Sequence, residues 1–127
     1  MSTEYQHQKQ FIEWLEKAYP IYRKCVRLSL NGIPLNAKTA AITMGMAKKS
    51  GLVVGESDLF IAVPSHGYHG LFIEMKKPGG TASKNQLEYV ADMRANGYAA
   101  EICQGADEAI NFFRNYLAGT FGKRELE

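Results

Sequence analysis

The sequence has only two cysteines, Cys25 and Cys103. They are too few for a disulfide framework and agree with a reducing cytosol. No run approaches the roughly 20 consecutive apolar residues that a bilayer-spanning helix needs. Met1 to Gln10 is polar and lacks the apolar segment of a signal peptide. Neither a membrane partner nor export is expected. Internal repeats and low-complexity linkers are absent, and no aromatic run suggests a platform for stacking single-stranded bases. An excess of charge of one sign is scarce too. The formal net charge of +2 is too small to argue for a polyanionic partner, so any such argument must come from where the charges sit.

What is present suffices for a folded domain. At 127 residues, with 46% hydrophobic and 22% charged, the chain has the makeup of one soluble globular domain and can bury a core without disulfide or metal staples. Aliphatic and aromatic residues occur throughout, which excludes disorder for the bulk of it.

Proline and glycine divide the chain into segments. Thr3 to Tyr19 reads as a helix, with Thr3 and Gln6 as a capping box, Phe11, Ile12 and Leu15 as the apolar stripe, and Pro20 as the stop. Ile21 to Leu30 reads as a strand, with Val26, Leu28 and Leu30 on one face, closed by Asn31-Gly32. Residues 36–49 read as a helix ending at Gly51. Asp58 to Val63 and Leu71 to Lys76 read as strands joined through Pro64 to Gly70. Ser83 to Asn96 reads as a helix with Leu87, Val90 and Ala91 inward, and Tyr98 to Cys103 as a strand. Ala106 to Leu117 reads as a helix with Ala106, Ala109, Ile110, Phe113 and Leu117 at helical spacing. The tail from Gly119 is expected to fray. The order α-β-α-β-β-α-β-α implies a mixed sheet of about four strands covered by helices, in one α/β or α+β domain.

The chemistry concentrates at Asp58 and Glu74-Met75-Lys76. Glu74 and Lys76 are two residues apart on one strand, so both project from the same face. Asp58 begins the neighbouring strand and reaches that face if the two pair. Two carboxylates beside one lysine suit a hard divalent cation such as Mg²⁺, which takes oxygen ligands and leaves positions for water and a phosphate. The lysine can orient or help deprotonate an attacking water. Taken in isolation, Glu74 and Lys76 also read as an ordinary surface ion pair.

The surroundings carry more. Gly55-Glu56-Ser57-Asp58-Leu59, then Gly70 to Lys76, then Ser83 to Gln86 resemble the signature of the PD-(D/E)XK nuclease superfamily, and within it the VRR-NUC family of virus-type replication-repair nucleases. Glu4, Gln8 and Trp14 match that family's first-helix pattern, Gln86 its later helix glutamine, and Gly97-Tyr98 its Gly-Tyr before the last core strand. The resemblance runs from Thr3 to about Leu117. Ser57 stands where the superfamily has proline, and Leu30-Asn31-Gly32 keeps only the Asn-Gly of a Pro-Asn-Gly turn.

The resemblance implies an α/β restriction-endonuclease-like core and a divalent-metal-dependent DNA endonuclease. Asp58, Glu74 and the Met75 backbone carbonyl would ligate Mg²⁺ or Mn²⁺, with Glu4 reaching the ion or its water shell. Lys76 would serve the nucleophilic water. Gln86 would hold Lys76 or a phosphate, Gln86 and Ser83 also being suited to a capping box. Gln8 is a weaker supporting candidate. Lys77, in Lys77-Pro78-Gly79-Gly80, and Lys84 are weak candidates for substrate contact. The expected whole is a single nuclease domain, 1–127, acting as a homodimer on branched DNA such as a four-way junction, in the cytoplasm of a bacterial host and encoded by a phage or prophage. Flap, nicked or linear DNA, or a catalytically silent DNA-binding module of the same fold, are the alternatives. His66 and His69 have zinc-like spacing but no third ligand nearby, and the two cysteines read as buried hydrophobes.

Overall fold

The computed structural model describes residues 3–29 and 57–121, together with 42, 45, 46 and 49. Helix α1, Glu4–Ala18, opens on the expected capping box. The Thr3 hydroxyl accepts from the Gln6 N–H, and Gln6 Oε1 accepts from the Thr3 N–H. A 3₁₀ helix, Pro20–Cys25, follows and leads into β1, Val26–Leu28. Strands β2, Leu59–Ile61, and β3, Leu71–Lys76, form a hairpin. Helix α2, Lys84–Ala95, then leads to β4, Ala99–Gln104, and helix α3, Ala106–Ala118, completes the core.

The sheet order is β1-β2-β3-β4, with the first two pairings antiparallel and the last parallel. One face carries Val26, Leu59, Ile61, Leu71, Ile73, Met75, Ala99 and Cys103. It is closed by Phe11 and Leu15 of α1 and by Ala109, Phe112, Phe113 and Tyr116 of α3. The opposite face carries Phe60 stacked on Phe72, with Tyr98 and Tyr89 edge-on to Phe72.

Several expectations need correction. The strand read from Ile21 shrinks to three residues, because Pro20 starts a 3₁₀ turn in which the Tyr22 N–H bonds the Tyr19 carbonyl. Tyr19 and Tyr22 both set their rings edge-on against Phe113, which folds the segment back on α1 and α3. Leu28 shares a face with Val26 but lies 47% exposed, while Val26 is buried. Leu87 and Ala91 point outward and only Val90 of the expected stripe is buried. The helix face that meets the sheet is Gln86, Tyr89, Val90 and Met93, turned there by Tyr89 packing on Phe72. Of the helix read over 36–49, Ile42, Gly45, Met46 and Lys49 are helical. The rest of that helix, the Asn31-Gly32 turn, Gly51, Gly55-Glu56 and the tail from 122 lie outside the described residues.

Candidate active site

The β2–β3 register places Leu59 opposite Ile73, so one step back Asp58 lies opposite Glu74. A neighbouring step pairs Glu74 with Ile102 of β4. The row Asp58–Glu74–Ile102 therefore crosses the sheet on the face opposite the main core. On β1 the chain continues this row at Ser29, whose N–H donates to the Asp58 carbonyl at 2.8 Å.

Three carboxylates meet here. Asp58 and Glu74 are buried and Glu4 of α1 is exposed. One oxygen from each lies within 4.8 Å of the others. The Lys76 ammonium is 3.7 Å from Glu4 Oε1, and its side chain is only 11% exposed. Asp58 Oδ2 accepts from the Met75 N–H at 3.0 Å. A strand residue directs its N–H and C=O to the same side, so the Met75 carbonyl also faces the Asp58 edge.

Glu74 is 1% exposed, and neither of its oxygens meets a donor among the described residues. Burial raises its pKa from 4.5 to about 9. Hydrogen bonding with Asp58 and the Asp58 charge add to the rise, and the Lys76 charge opposes it. A hydrogen bond between two carboxyls needs a proton on one of them, so it forms only when the pair shares a proton. Burying an unpartnered carboxylate is costly unless a cation neutralises it. Orphaned oxygens on Glu74, an oxygen-only donor set and an open side at Glu4 fit a hard divalent cation.

The remaining candidates are spread more widely. Gln86 sits in the α2 capping box, where its Oε1 accepts from the Ser83 N–H at 2.8 Å and its own N–H donates to Ser83 Oγ. Gln8 is buried on α1, one turn from Glu4. Lys77 is exposed, and Lys84 is exposed beside Glu88 at 3.9 Å. The two loop histidines turn to different places. His66 packs at Gly119 and His69 at Gly97, so they do not converge as a zinc pair.

Three residues near the site were not singled out from sequence. His7 Nδ1 accepts from the Ala106 N–H at 3.1 Å and so caps α3, whose own N-cap, Gly105, has no side chain. Ser29 is buried beside Asp58, its hydroxyl without a partner among the described residues. Gln104 bonds the turn that follows β3. Only the glycine N-cap of α3 is a signal in the sequence, and it says that a cap must come from elsewhere without saying from where.

A mixed four-stranded sheet flanked by helices, with an acid at the head of the second strand and Glu-x-Lys on the third, defines the PD-(D/E)XK nuclease core. The sequence model of the VRR-NUC domain matches residues 2–107. The chain belongs to the VRR-NUC family, and its domain is a nuclease domain. A solved structure described as a VRR_NUC domain protein superposes with a TM-score of 0.78 at 25% identity, covering 93% of this chain and 90% of that one. No curated protein matches the chain. No helix among the described residues is long and apolar enough to cross a membrane.

Proposed function

We propose that this chain, as a single nuclease domain over 1–127, is a divalent-metal-dependent DNA endonuclease that hydrolyses phosphodiesters by direct attack of water. The observation that carries the reading is Glu74, buried with both oxygens unpartnered, within 4.8 Å of Asp58 and Glu4 and beside Lys76. Asp58, Glu74 and the Met75 carbonyl would hold Mg²⁺ or Mn²⁺, with Glu4 at the exposed side. The ion, when bound, acidifies water and neutralises charge developing on the phosphate. Asp58 is held by the Met75 N–H, which fixes its free oxygen relative to Glu74. Lys76, kept near Glu4, orients the attacking water and offsets negative charge on the oxygens of the pentacoordinate phosphate. Gln86 acts from the start of α2 by fixing that helix over the site. Lys77 and Lys84 are its proposed contacts to DNA.

The preferred substrate is branched DNA, cut by a homodimer. A four-way junction has two symmetric incision points, and two sites related by a two-fold axis match them. The two free cysteines suit a reducing cytoplasm.

The test is purified protein with Mg²⁺ or Mn²⁺ on labelled linear, flap and four-way DNA. Cleavage is expected with either ion, and binding with little turnover in Ca²⁺, whose coordination is longer and looser. Cleavage that persists in excess EDTA overturns the metal assignment. Intact DNA of every shape with both ions overturns the nuclease reading.

A further inference from the structure

Lys77-Pro78-Gly79-Gly80 turns the chain away from β3 immediately after Lys76. The Gly80 N–H donates to the Lys77 carbonyl at 2.8 Å, Pro78 takes the second position, and Gly79 takes the third with φ +86°. This is a type II turn, whose third position favours glycine. One backbone bond in a solvent-exposed loop holds such a turn weakly.

Gln104 holds it more firmly. Its Oε1 accepts from the Gly79 N–H at 3.3 Å and its Nε2 donates to the Gly80 carbonyl at 2.8 Å. One planar amide therefore grips the turn at two successive residues. Gln104 is itself placed by its neighbours. It pairs in register with Lys76, and the adjacent Gly105 N–H donates to the Lys76 carbonyl at 2.8 Å. The Gln104 N–H donates to Glu108 Oε2, in the first turn of α3, at 2.9 Å. The connection runs from α3 through the end of β4 to the turn that begins with Lys77. Lys9, Arg23, Lys76, Lys84 and Arg94 each have a carboxylate within 4.0 Å. Among the described residues no carboxylate comes that close to Lys77, which is exposed and follows Lys76 directly.

We propose that Gln104 is a positioning residue for DNA. Its amide fixes the 77–80 turn so that the Lys77 ammonium meets a backbone phosphate next to the one being cut. This rests on the nuclease reading above. Gln104 itself touches neither DNA nor the ion, and Lys77 supplies the charge.

Binding of a labelled DNA that the wild type cuts is measured in Ca²⁺ across a salt series by fluorescence anisotropy. Cleavage is measured in Mg²⁺. Losing one phosphate contact lowers the log–log salt slope by about 0.9. Lys77→Ala and Gln104→Ala should each show that loss, with KM raised about five-fold and kcat unchanged. The double variant should lose nothing more. Amide exchange at Gly79 should quicken in Gln104→Ala, with or without DNA.

A pair of glycine variants separates turn geometry from general damage. A Cβ at Gly79 or at Gly67 meets nothing within 4 Å, and both residues have positive φ, +86° and +91°. Gly79→Ala and Gly67→Ala therefore impose similar backbone strain in different loops. Gly79→Ala should reproduce the loss of slope, and Gly67→Ala should not. An unchanged slope or unchanged Gly79 exchange in Gln104→Ala overturns the proposal, as does full additivity with Lys77→Ala or an equal loss in Gly67→Ala. A wild type that cuts no DNA with either ion overturns the nuclease reading and this proposal with it. Wild-type cleavage with an unaltered Gln104→Ala overturns this proposal alone.

Discussion

Glu74 is held as a neutral acid by its surroundings when no cation is present, and that makes the site's stability depend on pH. Its pKa is 4.5 in an unfolded chain and about 9 in the metal-free fold, raised first by burial and then by Asp58. The folded state therefore binds the proton more tightly. The stability from this group is complete below pH 4.5 and is lost progressively as pH rises through about 9. In EDTA, the thermal midpoint of the wild type should fall relative to Glu74→Gln between pH 5 and pH 9, as a melting series on both proteins would reveal. A parallel pair of curves would show that Glu74 is ionised throughout. Binding of the proposed metal would displace the same proton, so apparent Mg²⁺ affinity should rise with pH over that interval.

The same residues separate catalysis from folding. Asp58→Asn, Glu74→Gln and Lys76→Ala should each reduce cleavage by at least about 100-fold. Asp58→Asn keeps an oxygen for the Met75 N–H, and either acid variant lowers the cost of the proton that the buried pair must take up on folding, so the metal-free midpoint at neutral pH should stay level or rise slightly. A plain ion pair predicts the reverse, a loss of about 0–1 kcal/mol with activity kept. Saturating Mg²⁺ at about 100 times its Kd should stabilise the wild type by about 2.7 kcal/mol. Asp58→Asn and Glu74→Gln should lose that gain, while Lys76→Ala should retain it because lysine ligates nothing. If both acid variants cut DNA at wild-type rates, the chemistry lies elsewhere.

Among the elements, what could be read from sequence divides along a physical line. Both capping boxes, Thr3 with Gln6 and Ser83 with Gln86, were legible because their bonds span three residues. The Asp58 and Glu74 pairing was legible too, because the two strands form a hairpin whose alternation is local. Features set by distant partners were not. Tyr116 is buried because its hydroxyl donates to the Val63 carbonyl at 2.6 Å, a contact that apolar periodicity does not encode. The 3₁₀ turn at Pro20 depends on Phe113, far along the chain. The cap of α3 depends on His7, 99 residues before Ala106. His7→Ala removes that acceptor and should destabilise the fold by about 1 kcal/mol, as helix caps commonly do. Chemical denaturation of the variant checks this. His7→Asn, whose Oδ1 lies as far from Cβ as the imidazole Nδ1 that accepts from the Ala106 N–H, should recover much of the loss.

At the scale of the whole molecule, the proposed homodimer needs a surface that joins two copies. The parallel pairing turns the N–H and C=O of Ala100, Ile102 and Gln104 away from β3, and among the described residues β4 is the last strand of the sheet. An open strand edge invites a second chain to pair with it. Here side chains of the same molecule occupy much of that edge. Arg94 Nε donates to the Ala100 carbonyl, Glu101 Oε1 accepts from the Ile102 N–H, and Glu108 Oε2 accepts from the Gln104 N–H. Arg94 and Glu101 also pair at 3.3 Å. A dimer with symmetric active sites should therefore form without β4 edge pairing. Light scattering should give about 28 kDa, twice the 14.2 kDa chain. That mass should persist in Arg94→Ala, which uncovers part of the β4 edge. Arg94→Ala should instead form larger species slowly at high concentration, as an uncovered edge does. A monomeric mass at working concentration together with full four-way-junction cleavage would remove the dimeric reading and leave the nuclease. Collapse of the dimer to monomer in Arg94→Ala would place the interface on β4 after all.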